Sequence, residues 1–479
     1  MVCALLCFLL IDEYLYGQGG FLALTGQASQ EAQIVSKVTR APALAATSDL
    51  IAFGSSYVRS GLAGQPFWDR QLIPFNFGIS GGSSLTAYFA LKRIEPILAQ
   101  RRTKPWLVLE IKVEALERAD NTLWAEYPQY LGIVRSRRER LAEAPVLWRH
   151  FRAYGMLSPF ISSIVVPSGL YRSHAVQLLQ RPSALDGYFY GMEDASGFAP
   201  LYGVPRPDQF GTAPYTAPID MGRFVAPKIH EIRAFLAMAR RLECPVALYS
   251  SPSPYGPRDA TIYDRLFATL QQEFPNVAIL RTSDYGLVKS DFDGGGHPNL
   301  AGSDKLSEML IRKLDVRGAP DTYDSRLGST FEVLAPPPTT DWALAQGVRP
   351  VSPTVIEFDG SATSLVLGKL PPFLVQPGRE YVIEVRTDIT AGELFVTAAW
   401  NRRGTGPLVE RSVSTAQAAV SGPSRVVLRM VPRHSRLTIS IVDHAASVGP
   451  GPSRGRLEIL RFWGDRHKDD ADSDIRVVQ

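Results

Sequence analysis

The sequence predicts an α/β domain, a flavodoxin-like three-layer parallel sheet, followed by a separate all-β sandwich of jelly-roll-like type. Three observations carry this. Short apolar runs alternate with helix-period segments across residues 47–316, the pattern of a parallel sheet covered on both faces. Residues 317–340 carry Gly, Pro, Asp and Ser, including Ala335-Pro-Pro-Pro-Thr339, which is linker composition. Residues 341–466 read as short alternating strands separated by turn residues, with helix signals nearly absent.

In the first domain the strands are expected at residues 49–53, 72–76, 106–111, 246–249 and 277–280. Between them, residues 84–101 place Leu85, Tyr88, Phe89, Leu91, Ile94 and Leu98 at helical spacing. Residues 225–242, 261–274 and 300–314 read as further helices. Residues 115–222 interrupt this alternation. The first half of that insertion looks helical and Arg-rich, and residues 186–218 are dense in Gly, Pro, Tyr and Phe. Such a segment suits a substrate lid or a packing elaboration equally. In the second domain, strands are expected at residues 355–358, 364–367, 381–385, 394–397, 425–428, 437–441 and 457–460, with a charged, fraying tail at 467–479.

A chain of 479 residues with 45% hydrophobic and 20% charged residues is an ordinary folded protein of two or three domains. Its net charge of +4, with no basic stripe, argues against a nucleic-acid partner. The three cysteines, Cys3, Cys7 and Cys244, have no metal-ligand spacing and imply no disulfide framework. Cys244, just before an apolar run, reads as a buried thiol. Met1 to Ile11 are uninterrupted apolar, fewer than the roughly 20 residues that span a bilayer, and no basic residue precedes them. They read as the end of a truncated membrane anchor or as a buried helix, with residues 17–46 as a linker behind them. The anchor reading places the bulk of the protein outside the cytoplasm, in the periplasm or at the cell surface.

Ser, His and Asp residues carry the chemical argument. A serine hydroxyl is a weak nucleophile at neutral pH and needs an adjacent base, itself oriented by a third group. Gly54-Ser55-Ser56 follows the first strand, and the glycine permits a sharp turn. Asp293-Gly-Gly-Gly-His297-Pro-Asn299 precedes the last helix. Carboxyl ends of parallel strands are where such folds place reactive groups.

These segments resemble the SGNH/GDSL hydrolase superfamily. Residues 51–62, Ile-Ala-Phe-Gly-Ser-Ser-Tyr-Val-Arg-Ser-Gly-Leu, are similar to its first block, which aligns Ser56 with the nucleophile. Asn76-Phe-Gly-Ile-Ser-Gly81 is similar to the second, whose glycine donates an oxyanion N–H; that role falls to Gly81, beside the N–H of Ser56. Asp293 and His297-Pro-Asn-Leu-Ala-Gly302 resemble the last block. The resemblance implies a serine esterase or O-acyltransferase in which His297 is the general base and Asp293 orients it. Two departures stand out. Three glycines separate Asp293 from His297 where the family has two residues, so Asp291 is a second candidate. The strand Leu109-Glu-Ile-Lys-Val-Glu114 lacks the third block's oxyanion Asn, whose loss costs about 2.7–4 kcal/mol of transition-state stabilisation.

Pairing with a β-sandwich is similar to bacterial polysaccharide O-acetyltransferases such as those acting on alginate, although those enzymes place their Asp-His pair before the serine. The comparison implies an acylated polysaccharide or oligosaccharide as substrate and a membrane acyl-donor protein as partner. The alternative is a catalytically inactive scaffold that binds polysaccharide or helps assemble an export or modification complex. Trp400, Arg402 and Arg403 are the candidate carbohydrate contacts, by stacking and forked hydrogen bonds. Trp342 and Trp463 are the other tryptophans of this domain. His150, His174 and His230 read as surface or packing residues, and His434, His444 and His467 lie in the β domain. No metal or cofactor is expected.

Overall fold

The computed structural model describes residues 2–12, 30–68, 70, 72–112, 133–134, 136–153, 160–161, 164–165, 226–254, 260–281, 284–292, 296–317, 331–334, 336–360, 366–375, 381–391, 394–401, 413–419, 422–430, 436–443 and 453–465. The chain divides into two compact units. The first runs chiefly to Ala319 and the second comprises Pro320–Gln479 together with Gly64–Gln71.

The first unit is built on five parallel strands: β1 (Leu50–Gly54), β2 (Pro74–Gly78), β3 (Trp106–Ile111), β4 (Val246–Ser250) and β5 (Ala278–Leu280). Their spatial order is β2-β1-β3-β4-β5 and every neighbouring pair is parallel. This is the flavodoxin-like doubly wound order, and its switch point lies between β1 and β3. All five residues of β2 and of β4 are buried, as expected of strands covered on both faces.

The described α-helices of this unit are α1 (Val2–Asp12), α2 (Gln30–Thr47), α3 (Ser56–Gly61), α4 (Ser84–Gln100), α5 (Arg137–Ala142), α6 (Ala144–Ala153), α7 (Ala226–Arg241), α8 (Ala260–Glu273) and α9 (Leu300–Leu314). Ile51 and Phe53 of β1 share one core with α2, α4 and α7, and Phe53 meets Phe235 edge-on at 5.2 Å. Ser83 and Thr86 form a capping box that starts α4, and Asn299 caps α9 by accepting from the Gly302 N–H.

Residues 30–46 are not a linker. They belong to α2, whose Ile34, Val38, Ala41 and Ala45 are buried in the first core. These residues are three or four apart, a helix face that the small and polar residues around them conceal in the composition. Within residues 317–340, the described residues 331–334 and 336–340 are likewise more ordered than linker composition suggests. β6 (Phe331–Leu334) pairs with the last strand, and a 3₁₀ turn covers Thr339–Asp341. Eleven residues form α1, and no described helix is long and apolar enough to cross a membrane.

The second unit holds two six-stranded sheets. One is ordered β14-β13-β16-β10-β7, with β11 also pairing β16; the other is β15-β12-β17-β9-β8, with β6 also pairing β17. Their strands are β7 (Ala343–Leu344), β8 (Val348–Ser352), β9 (Val355–Asp359), β10 (Val366–Lys369), β11 (Phe373–Leu374), β12 (Tyr381–Ala391), β13 (Leu394–Asn401), β14 (Val413–Ala419), β15 (Gly422–Met430), β16 (Arg436–Asp443) and β17 (Arg454–Asp465). Ile383 and Val385 of β12, Leu457 and Ile459 of β17, and Val396 and Ala398 of β13 join one core between the sheets. Tyr381–Val385 of β12 are all buried, and burial alternates only from Val385 to Thr390, the period of a sandwich strand. Trp342 is buried and its indole N–H donates to the Pro337 carbonyl at 3.0 Å, so it belongs to the packing.

Burial raises the Cys244 thiol to about 11, with Lys104 and Arg101 pulling the other way. A thiol kept neutral by the fold stabilises the native state below its ordinary value of 9.0, and that contribution is lost as pH rises through about 11. Urea-unfolding midpoints between those two pH values should therefore fall more steeply for the wild type than for Cys244→Ala. Equal slopes would refute the burial argument.

Candidate functional site

The site forms at the carboxyl ends of β1 and β3, on the switch point of the sheet. β1 ends at Gly54. A Cβ there would stand 2.4 Å from both Glu110 Oε2 and Val58 Cγ2, so the strand end has room only for glycine. Ser55 then caps α3, its side chain accepting from the Tyr57 N–H at 3.3 Å. Ser56 is the first residue of α3, half-buried, and its Oγ lies 2.8 Å from Nε2 of His297. That distance fits a nucleophile hydrogen-bonded to its general base.

His297 is carried by the loop before α9. The loop closes through a bridge between Phe292 and Pro298, and the Asn299 N–H donates to the Asp291 carbonyl at 2.9 Å. The Asn299 side-chain amide donates to Ser290 and Phe292 carbonyls. Ser303 Oγ donates to the Ser60 carbonyl at 2.5 Å, which fixes α9 against α3. The two halves of the Ser–His pair are thus held by neighbouring helices.

The two carboxylate candidates differ. Asp291 is buried, and its carboxylate accepts from Lys305 Nζ at 2.7 and 2.9 Å and from the Val288 N–H at 2.8 Å. Its oxygens serve the turn that precedes the loop. Asp293 lies outside the described residues, together with Gly294 and Gly295.

Gly81 sits in the loop after β2 with φ +70°, a left-handed conformation that favours glycine. Two backbone bonds shape the loop: Ile79 N–H to Gly54 O at 2.9 Å, and Gly82 N–H to Ile79 O at 2.7 Å. Beneath it, Lys37 of α2 is fully buried and donates to the carbonyls of Asn76 at 2.9 Å and Gly78 at 2.5 Å. Asn76 in turn donates to the Val58 and Leu62 carbonyls and accepts from the Gly78 N–H. These bonds lock β2 to α3.

Three residues escaped the sequence reading. Glu110, near the end of β3, is buried; it accepts from the Ser55 N–H at 2.6 Å, from Ser55 Oγ at 3.1 Å and from Ser251 Oγ at 2.5 Å. Tyr57 stacks on His297 with ring centroids 4.5 Å apart, and Lys112 Nζ lies 4.6 Å from the Tyr57 centroid. Glu110 and Lys112 occupy the stretch searched for the missing Asn, so their place at a strand end was the available signal. Burial, then Glu110 and Tyr285 nearby, push the Tyr249 phenol well above its ordinary range and keep it protonated.

Away from this centre, His150 is buried and pairs with Glu231 at 2.5 Å, and Ser84 Oγ donates to the other Glu231 oxygen at 2.8 Å. This hydrogen-bonded pair fastens α6, part of the insertion, to α7 and to the start of α4, so His150 is a packing residue. His230 is exposed. His174, His434, His444 and His467, and the insertion's residues 186–218, lie outside the described residues. In the second unit Trp400 lies on β13, in register with Val413 and Leu437, while Arg402 and Arg403 lie outside the described residues.

No family model matches the chain, and no curated protein does. Among solved structures it is similar to a two-domain esterase active on acetylated mannans, at 9% identity over 90% of this chain and 94% of that one, with a TM-score of 0.24. It is also similar to a family 29 carbohydrate-binding module from Piromyces equi, at 11% identity over 30% of this chain and 95% of the other, TM-score 0.19. A CBM4 structure shares 9% identity over 28% of this chain and 86% of its own, TM-score 0.19. Likenesses this distant carry no argument about activity. The strand order and the sheet pairing define the class: a doubly wound α/β unit followed by an antiparallel β-sandwich, with a serine–histidine pair at the switch point of the first.

Proposed function

We propose that the first unit is a serine-dependent esterase or O-acyltransferase. The observation that carries this is the 2.8 Å contact between Ser56 Oγ and His297 Nε2. In the proposed reaction His297 takes the Ser56 proton as Oγ attacks an acyl carbon. The N–H groups of Ser56 and Gly81 receive the developing oxyanion. His297 then protonates the departing alkoxide, leaving an acyl-serine. Water, or a sugar hydroxyl, attacks that ester, and His297 again relays the proton. Asp293 orients the imidazole, because the Asp291 oxygens serve Lys305 and the Val288 N–H.

The sugar as alcohol component follows from the resemblance to polysaccharide O-acetyltransferases and from the β-sandwich. So do the acylated-polysaccharide substrate, a membrane acyl-donor protein as partner, an extracytoplasmic location, and glycan contacts from Trp400, Arg402 and Arg403. The competing scaffold reading draws on Glu110 and Lys112 standing where the family's oxyanion Asn is sought. Hydrolysis of p-nitrophenyl acetate by the full chain, compared with Ser56→Ala, separates the two. Turnover that disappears in the variant supports the enzyme; equal rates in both proteins sink it. Repeating the assay with a sugar acceptor distinguishes transfer from hydrolysis.

A further inference from the structure

We propose that the face of the first unit formed by α1, α5 and α6 docks onto the surface of an anionic lipid bilayer. α1 carries the first part of this face. Leu6, Phe8, Leu10 and Ile11 are exposed, between 50% for Phe8 and 69% for Leu10. At roughly 100° per residue these positions sweep more than half the circumference of the helix. Leu9 and Asp12, the less exposed positions, mark the side turned to the protein. A helix apolar over so wide an arc needs an apolar medium around it, whereas a protein groove covers a stripe.

The patch continues beyond α1. Arg137 Nη2 donates to the Leu9 carbonyl at 3.4 Å and to the Val165 carbonyl at 3.3 Å, which brings α1, the start of α5 and the 164–165 segment within reach of one side chain. Val165, Ile161 and Leu141 are exposed, and Trp148 of α6, also exposed, meets Phe160 edge-on at 5.1 Å. On α6 the exposed side is Pro145, Trp148, Arg149 and Arg152, while Leu147, His150 and Phe151 face inward. Tryptophan and arginine on one face of a helix suit the headgroup layer, with the ring at the boundary and the guanidinium reaching phosphate.

Charge names the lipid. Arg138, Arg149 and Arg152 are exposed on this face. The neighbouring acids are engaged elsewhere, Glu139 with Arg93 and Glu143 with Lys92. The surface is left positive. The same charge disfavours a second copy, because a two-fold interface here would set arginine against arginine. Eleven residues of helix extend about 16 Å, roughly half a hydrocarbon core, which is the depth of one leaflet.

Nothing in this proposal depends on the chemistry at Ser56. The test is flotation of the full chain with phosphatidylcholine vesicles, with and without phosphatidylglycerol, read beside quenching of tryptophan by brominated lipid. Wild type should float with the anionic vesicles, and added salt should weaken it. The double variant Phe8→Asp/Leu10→Asp should partition at least about 30-fold less. Each of Arg138→Ala and Arg152→Ala should lose about fivefold. Trp148→Phe should remove most of the quenching. Thermal melting and hydrolysis of a soluble ester should be unchanged in these variants, since the residues are exposed and remote from the Ser–His pair in sequence. No flotation by the wild type, or flotation unaffected by the double variant, overturns the proposal. So does a concentration-dependent dimer, seen by sedimentation, that the same double variant dissociates.

Discussion

Alanine at His297 should lower kcat for p-nitrophenyl acetate by on the order of 10⁴-fold or more, and alanine at Ser56 should cost as much. The reason is that the two atoms 2.8 Å apart act as one device. Without the imidazole the hydroxyl keeps its proton, and without the hydroxyl the imidazole has nothing to activate. The double variant should consequently be no slower than either single one, a non-additivity that independent contributions would not produce. A double variant slower by the product of the two losses would refute the pairing. The aspartates divide the remaining question. Asp293→Ala should lose on the order of 10⁴-fold in kcat with an unchanged melting temperature, because it removes the group proposed to orient the base. Asp291→Ala should do the reverse. It removes the acceptor of the Val288 N–H and of the half-exposed Lys305 ammonium, costing about 1 kcal/mol of stability, while the folded fraction keeps turning over. If Asp291→Ala abolishes turnover at full stability, the two roles are exchanged.

Alanine at Glu110 should be the most damaging single change to the architecture around Ser56. Its carboxylate accepts three hydrogen bonds, from the Ser55 N–H, Ser55 Oγ and Ser251 Oγ. Truncation leaves the buried Ser55 N–H without an acceptor and opens space against Gly54. Such losses cost about 1–3 kcal/mol per stranded donor, and the total should reach about 3–5 kcal/mol. The hydroxyls soften this, because each can rotate to find another acceptor. Glu110→Gln is the informative companion. An amide oxygen can keep the Ser55 N–H bond while its NH₂ donates to the serine hydroxyls, so the cost should fall to about 1 kcal/mol. Denaturant midpoints measure both. A Gln variant as unstable as the Ala variant would show that the charge of Glu110, not its bonding pattern, holds the turn. Because Ser55 caps the helix that begins with Ser56, the Ala variant should also lose kcat in excess of its loss of folded protein.

Much of the fold was legible because its elements declare themselves locally. Apolar runs of four to six residues placed all five parallel strands within two residues of their observed limits, and the spacing of Leu85, Phe89, Leu91 and Ile94 placed α4. In the second unit β9, β10, β12, β13, β15, β16 and β17 were found, whereas β6 and β8 were not. The two-residue strands β7 and β11 were not, since two residues hold no period. Strand β14 was also missed: its sequence, Val-Ser-Thr-Ala-Gln-Ala-Ala, alternates no large apolar side chains. The α2 helix failed for a related reason, as a face made of two aliphatic residues and two alanines is faint against a polar background.

What the sequence determined by itself was the kind of element at each position and two local signatures, Gly-Ser-Ser after a strand and His-Pro-Asn before a helix. These suffice because backbone geometry and capping act over a few residues. The tertiary structure decided partnership. It brought Ser56 to His297 across 241 positions, turned Glu110 inward to hold Ser55, buried Lys37 beneath the loop that carries Gly81 and joined His150 to Glu231. A buried polar or ionisable group is tolerable only where a partner meets it. In this chain the partners of Lys37, Glu110 and His150 come from other strands, helices and loops, so no window along the sequence contained both halves of any one of these contacts.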